Sequence, residues 1–159
     1  GTTFEGLFID RFFAYRTDVF DVTNNNTWYD FPWNVAAVLN DGFTHDEDGA
    51  NPEQITVTNA GKYLIAYTVS EYKAGTTDGY FNARVLDDGT EIVGSYNLRV
   101  RDDCSILNHS FICSIGAGSV IELQVGTTSA GSDVESGDPA NLPDPTTRNV
   151  ASIAIIRLE

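Results

Sequence analysis

What most constrains this chain is a two-residue hydrophobic rhythm with no helical periodicity beside it. Short alternating stretches recur, cut by clusters of Gly, Asn, Asp and Pro, and this is the pattern of an all-β sandwich or barrel. Phe81, Ala83 and Val85 alternate toward Asp88-Gly89, a dipeptide suited to closing a two-residue hairpin. Phe111, Cys113 and Ile115 form an inward set. Beyond the Gly116-Ala117-Gly118 turn, Ile121, Leu123 and Val125 point inward while Glu122 and Gln124 point out. Residues 92–101 read as one half-exposed strand, with Ile92, Tyr96, Leu98 and Val100 on one face and Val93, Asn97, Arg99 and Arg101 on the other. Residues 7–15, 19–23, 35–39 and 54–58 read as further strands, with Asn24-Asn25-Asn26 as a turn. The aromatic stretch 28–33 carries Pro32 and reads as a short edge piece packing onto the sandwich. Residues 129–148 hold Pro139, Pro143 and Pro145 and read as one long loop.

Two segments depart from half-buried alternation. In residues 61–69, Tyr63, Ile65 and Tyr67 are opposed by Leu64 and Ala66, so both faces are apolar; residues 150–158 repeat this with Ile153, Ile155 and Leu158. One face of an antiparallel sandwich strand ordinarily meets water. A strand apolar on both sides needs a second cover, from its own loops or from another subunit, and self-association is the preferred reading. Tyr63, Ile65, Tyr67, Ile153, Ile155 and Leu158 are therefore the expected markers of the core and association strands.

Composition bounds the function. A chain of 159 residues makes one domain, taken here as 1–159, and 42% hydrophobic residues can fill its core. Two Lys and seven Arg against 23 acids leave a formal charge of −14, which excludes phosphate-rich partners such as nucleic acid or an anionic membrane. No apolar run approaches the ~20 residues of a membrane-spanning helix. Asp supplies 15 of the acids and clusters in turn-like stretches; solvated loops are the preferred reading, with calcium-bearing loops or a protein working in salty water as the sharper alternatives. The chain lacks Met and starts at Gly1, which suggests a trimmed start with no signal peptide left to read.

Little in the sequence suggests chemistry. His45 and His109 are the only histidines, and neither Gly-x-Ser-x-Gly nor His-Glu-x-x-His occurs; no enzyme is expected. Cys104 and Cys113 lack the Cys-x-x-Cys spacing. Buried free thiols are the preferred reading, with a disulfide left open. Asp46-Glu47-Asp48-Gly49-Ala50-Asn51 resembles a calcium loop but lacks the fifth-position acid and the distal Glu of an EF-hand. No cofactor is expected. Asn25-Asn26-Thr27 and Asn108-His109-Ser110 fit the glycosylation triplet.

Several segments, in order, resemble the jelly roll shared by tumour necrosis factors and the globular heads of the first complement component. They are Phe12-Phe13-Ala14-Tyr15-Arg16, Gly42-Phe43-Thr44, the run from Thr58-Asn59-Ala60-Gly61 to Tyr67, Leu86-Asp87-Asp88-Gly89-Thr90-Glu91-Ile92, the run from Gly116 to Val125, and the closing stretch 151–158. Residues 56–68 and the Ile155-Ile156-Arg157-Leu158 ending are similar to heads of collagen-like glycoproteins on bacterial spores. Phe13-Ala14-Tyr15-Arg16, Asp21-Val22-Thr23-Asn24 and Trp28-Tyr29-Asp30-Phe31-Pro32 are similar to complement-head-like domains on phage particles. The resemblance implies an antiparallel jelly-roll β-sandwich that forms a homotrimer, with the doubly apolar strands near the three-fold axis. It also implies that a calcium ion near the trimer top stays open, with Asp46 and Asp48 as candidate ligands. The expected function is a non-enzymatic structural protein on a virion surface, decorating a phage capsid or capping a fibre, with capsid-shell or fibre proteins as partners. The alternative is a secreted or cell- or spore-surface head that recognises a receptor or a host glycan.

Overall fold

Alternation of apolar and polar side chains fixes which face of each strand turns inward, and two sheets close on the inward faces. In this computed structural model the structure describes residues 9–72, 79–100, 104–128, 132–134 and 150–159. The strands, in chain order, are β1 (Arg11–Arg16), β2 (Phe20–Val22), β3 (Thr27–Asp30), β4 (Val35–Leu39), β5 (Phe43–Thr44), β6 (Ile55–Val57) and β7 (Gly61–Tyr72). They continue as β8 (Tyr80–Asp87), β9 (Thr90–Glu91), β10 (Asn97–Val100), β11 (Cys104–Ile115), β12 (Val120–Thr127), β13 (Ser132–Val134) and β14 (Ala151–Arg157). The first sheet runs β2-β13-β7-β14-β1-β4, with β11 on β7 as well; the second runs β10-β8-β12-β6-β5, with β9 on β8. Every pairing between these strands is antiparallel. β3 runs along β12, where Asn26 N donates to Thr127 O (2.7 Å) and Phe31 N to Leu123 O (2.8 Å).

The core lies between the sheets. Phe12, Tyr63, Ile65, Tyr67, Val69, Ile153 and Ile155 meet Phe81, Ala83, Val85, Ile121, Leu123 and Val125. The 28–33 segment contributes more than an edge: Phe31 and Trp33 are wholly buried, and Phe20, Phe31 and Trp33 pack edge-to-face with centroids 5.1 and 4.9 Å apart. A polar link crosses the core. Tyr67 Oη donates to Ser95 O (2.9 Å), while the Ser95 hydroxyl donates to Val85 O and accepts from Val85 N, each at 3.0 Å. Burial pushes the Tyr67 phenol well above its usual range.

Two sequence expectations need correction. Residues 92–101 are not one strand: Ser95 N closes a turn onto Ile92 O (3.0 Å) through Gly94, whose φ is +86°, so only β10 remains extended. Val93 sits on the turn, fully in solvent, and Ser95 is buried where alternation gave no reason to place it. Within the 129–148 stretch, β13 adds a strand that pairs with β2 and β7; the remainder of that loop lies outside the described residues apart from β13 itself. The Asp88-Gly89 hairpin forms as read. Both residues have positive φ (+48° and +77°) and join Leu86–Glu91 and Asp87–Thr90 pairs, the signature of a type I′ turn.

Candidate interaction surface

Pairing register sorts the outward side chains of the first sheet into rows. Ile112, Leu64 and Ile156 lie side by side on β11, β7 and β14. The next row is Ser110, Ala66, Ala154, Phe13 and Val38, and the one after it Asn108, Thr68, Ser152, Tyr15 and Val35. Neither of the latter two rows contains a charge. Ile112 is 62% exposed, Phe13 and Tyr15 are half-buried, and their rings stand 6.0 Å apart. Charges appear where the face ends, at the Lys62–Glu159 ion pair and at Arg11 beside Ile156.

The outward face of the second sheet is built differently. Arg84 lies over the Trp28 ring (4.2 Å to its centroid), donates from Nε to Gln124 Oε1 (2.8 Å) and pairs with Glu91 (3.1 Å). Gln124 Nε2 continues to Asp30 Oδ1 (2.7 Å), and Gln54 Nε2 reaches Glu122 Oε1 (3.1 Å). Burial, opposed by the Gln54 hydrogen bond, raises the Glu122 carboxyl above the usual range. A hydrogen-bonded, partly charged lattice lies across one side of the sandwich, with Tyr80, Leu98 and Val100 exposed beside it; the other side carries uncharged rows that mix apolar residues with Ser, Thr and Asn. Surfaces of the second kind mark interaction sites.

The residues expected to mark the core and association strands lie on β7 and β14, apart from Leu158. Tyr63, Ile65, Tyr67, Ile153 and Ile155 point into the chain's own core and are closed to any partner. Their alternating neighbours Leu64, Ala66, Ala154 and Ile156 are the ones that face outward, because successive strand residues take opposite faces. Leu158 lies past the end of β14, 50% exposed, with its N–H donating to Lys62 O (2.7 Å). Phe13, Tyr15, Val35 and Val38 complete the apolar face, and sequence reasoning missed them; the doubly apolar reach of residues 12–15 was the available signal.

Asp46 and Asp48 are exposed in a turn that Gly49 N closes onto Asp46 O (3.2 Å), and among the described residues no three His, Cys, Asp or Glu side chains converge as a ligand set. Both histidines are held by backbone. His45 Nδ1 contacts Gln54 O (2.9 Å) with its ring edge-on to Phe12, and His109 Nε2 contacts Gly94 O (2.7 Å) with its ring stacked on Phe111. Cys113 is a free thiol, half-buried against the core rather than fully buried. Burial, aided by the Asp87 charge, pushes it up to about 11. Cys104 opens β11 and Cys113 lies nine residues further along the same extended strand, about 30 Å away at ~3.3 Å per residue, so a bridge between them within the chain is ruled out. No helix among the described residues is long and apolar enough to cross a membrane.

No protein-family model and no curated protein sequence matches the chain. Solved structures do. The crystal structure of murine APRIL at pH 5.0 superposes with a TM-score of 0.61 at 11% identity, covering 94% of this chain and 99% of that one. Murine APRIL at pH 8.0 gives 0.62 at 10% identity with the same coverage. The chain thus has the antiparallel tumour necrosis factor jelly-roll fold.

Proposed function

We propose that this chain is a non-enzymatic head that works as a homotrimer, burying the outward face of its first sheet against its own copies. The observation that carries this is the contrast between the two outer faces: a polar lattice around Arg84 and Gln124 on one, and uncharged rows through Ala66, Ala154, Phe13 and Tyr15 on the other. The assembly number rests on the jelly-roll fold and on the sequence resemblance. Both histidines serve the fold, which agrees with a role in binding rather than catalysis. Light scattering on the isolated chain tests the reading. We expect about three times 17.3 kDa; a monomeric mass at micromolar concentration overturns it.

The finer reading is a virion-surface protein that decorates a capsid or caps a fibre, supported by the similarity of residues 13–16, 21–24 and 28–32 to phage-particle domains. Immunogold labelling of purified particles tests it, and particles that carry no label contradict it. A surface-displayed recognition head is the second reading, favoured by a pocket on the second sheet.

A further inference from the structure

On the outer face of the second sheet, far from the apolar rows, three remote segments meet in a cavity of about 270 Å³. Trp28 comes from β3, Asn82 from β8, and Tyr96 from the turn before β10. The two rings stand 76° apart with centroids 6.4 Å from one another, forming two walls of a corner. The floor depends on Gly126: a Cβ there would lie 2.8 Å from Thr27 O and 3.3 Å from the Trp28 ring, so only glycine lets β3 and its indole settle this close. Arg84 fixes the indole from outside the cavity's lining. Asn82 is buried, accepts from Tyr96 Oη (2.8 Å) and donates to Tyr80 O (3.2 Å), which locks the amide and the phenol together. These groups are held before any ligand arrives, which lowers the entropy a small ligand must overcome.

The lining decides the ligand. Among the described residues it carries no charged side chain, which disfavours anions, cations and phosphorylated compounds. It offers the Asn26 amide, the Tyr96 phenolic oxygen as an acceptor and the Thr128 hydroxyl, while the Asn82 amide is already engaged by Tyr96 Oη, Tyr80 O and Gly126 O. Thr128 Oγ accepts from Tyr80 N (2.8 Å) and keeps a proton to give. Aromatic walls beside paired donors and acceptors match a ring with apolar C–H faces and hydroxyls on its edge. The volume sits just below the ~300 Å³ at which drug-sized pockets begin, room for one such ring.

We propose that this pocket binds a single neutral pyranose, as a free monosaccharide or as the terminal residue of a glycan. It lies within one chain and away from the association face, so it stands whether or not three copies assemble; light scattering reads the assembly and the following experiment reads the pocket. Trp33 is wholly buried, so changes in tryptophan emission on adding ligand report Trp28. The full chain is titrated with glucose, galactose, mannose and N-acetylglucosamine, with their methyl glycosides, and with uridine and adenosine. We expect a saturable change with a millimolar midpoint for at least one sugar. It should weaken at least tenfold in Tyr96→Ala, where a surface ring is removed, and in Asn26→Gly, which keeps the left-handed backbone (φ +56°) but loses the amide. Equal binding of the methyl glycoside assigns a glycan terminus; binding of the reducing sugar alone assigns a free monosaccharide. Saturation by no sugar, preference for a nucleoside, or undiminished binding in both variants overturns the proposal.

Discussion

Tyr67→Phe isolates a polar link across the core. The phenol reaches from β7 to Ser95 O at 2.9 Å in a region where both residues are buried. Its removal takes away a hydrogen bond worth about 1 kcal/mol net and leaves a buried carbonyl short of a donor, a penalty of about 1–3 kcal/mol. Ala83 O, at 3.4 Å from the same hydroxyl, loses only a marginal contact, so ~2 kcal/mol is the expected total, drawn from the same ranges. For a chain of this size that lowers Tm by about 4–8 °C, read by circular dichroism at one fixed protein concentration because association shifts Tm. The pH dependence carries a sign. The folded phenol is held protonated while the unfolded one ionises near pH 10, so the wild type has this stabilisation in full below that value and loses it progressively as pH climbs above it toward the folded phenol's higher range. Tyr67→Phe has no such group, and its deficit should shrink above pH 10. A Tm within a degree of wild type, or a deficit that grows with alkalinity, would refute the reasoning.

Other outcomes follow from the same geometry. At pH 8 a Cys113 thiol pushed up to about 11 is ionised in about one molecule in a thousand. Peptide mass mapping should therefore show its alkylation about a hundredfold slower in the folded chain than in urea; equal rates contradict the buried setting. Gly126→Ala should cost about 1–3 kcal/mol in a denaturant titration and shift tryptophan emission as Trp28 is displaced; an unchanged midpoint and spectrum contradict the close approach of β3. Because each copy carries −14, association should strengthen between low salt and ~0.5 M NaCl, where charges are screened within a few Å. A salt-independent mass distribution argues against charge repulsion between copies.

The alternation of residues 61–67 was legible because side chains on a strand change face at every residue. What alternation could not say was which of two apolar faces turns inward. The larger set, Tyr63, Ile65 and Tyr67, fills the space between the sheets, and Leu64 and Ala66 face outward. Gly94 was equally visible, but a single glycine inside an alternating run does not announce a turn, and the buried Ser95 finds its partners in Val85, ten residues earlier, and in Tyr67. The three-residue β13 offered too short a pattern to read amid prolines and acids. The Trp28–Asn82–Tyr96 pocket was illegible for a different reason. Its members lie on separate segments, and Asn82 reads in sequence as an ordinary outward polar position until β3 is laid across β12.

The central claim is that the uncharged face of the first sheet meets copies of itself. Ala154 sits in the middle of that face, between Ala66 and Phe13, and an arginine there is tolerated by a free surface but must be buried unpaired in an assembly, at a cost of several kcal/mol for each copy. Sedimentation equilibrium on the wild type, Ala154→Arg and the opposite-face control Leu98→Arg is the most direct test. The account predicts trimers for the wild type and the control and a folded monomer for Ala154→Arg. A wild-type monomer, or an Ala154→Arg chain that still assembles, contradicts it.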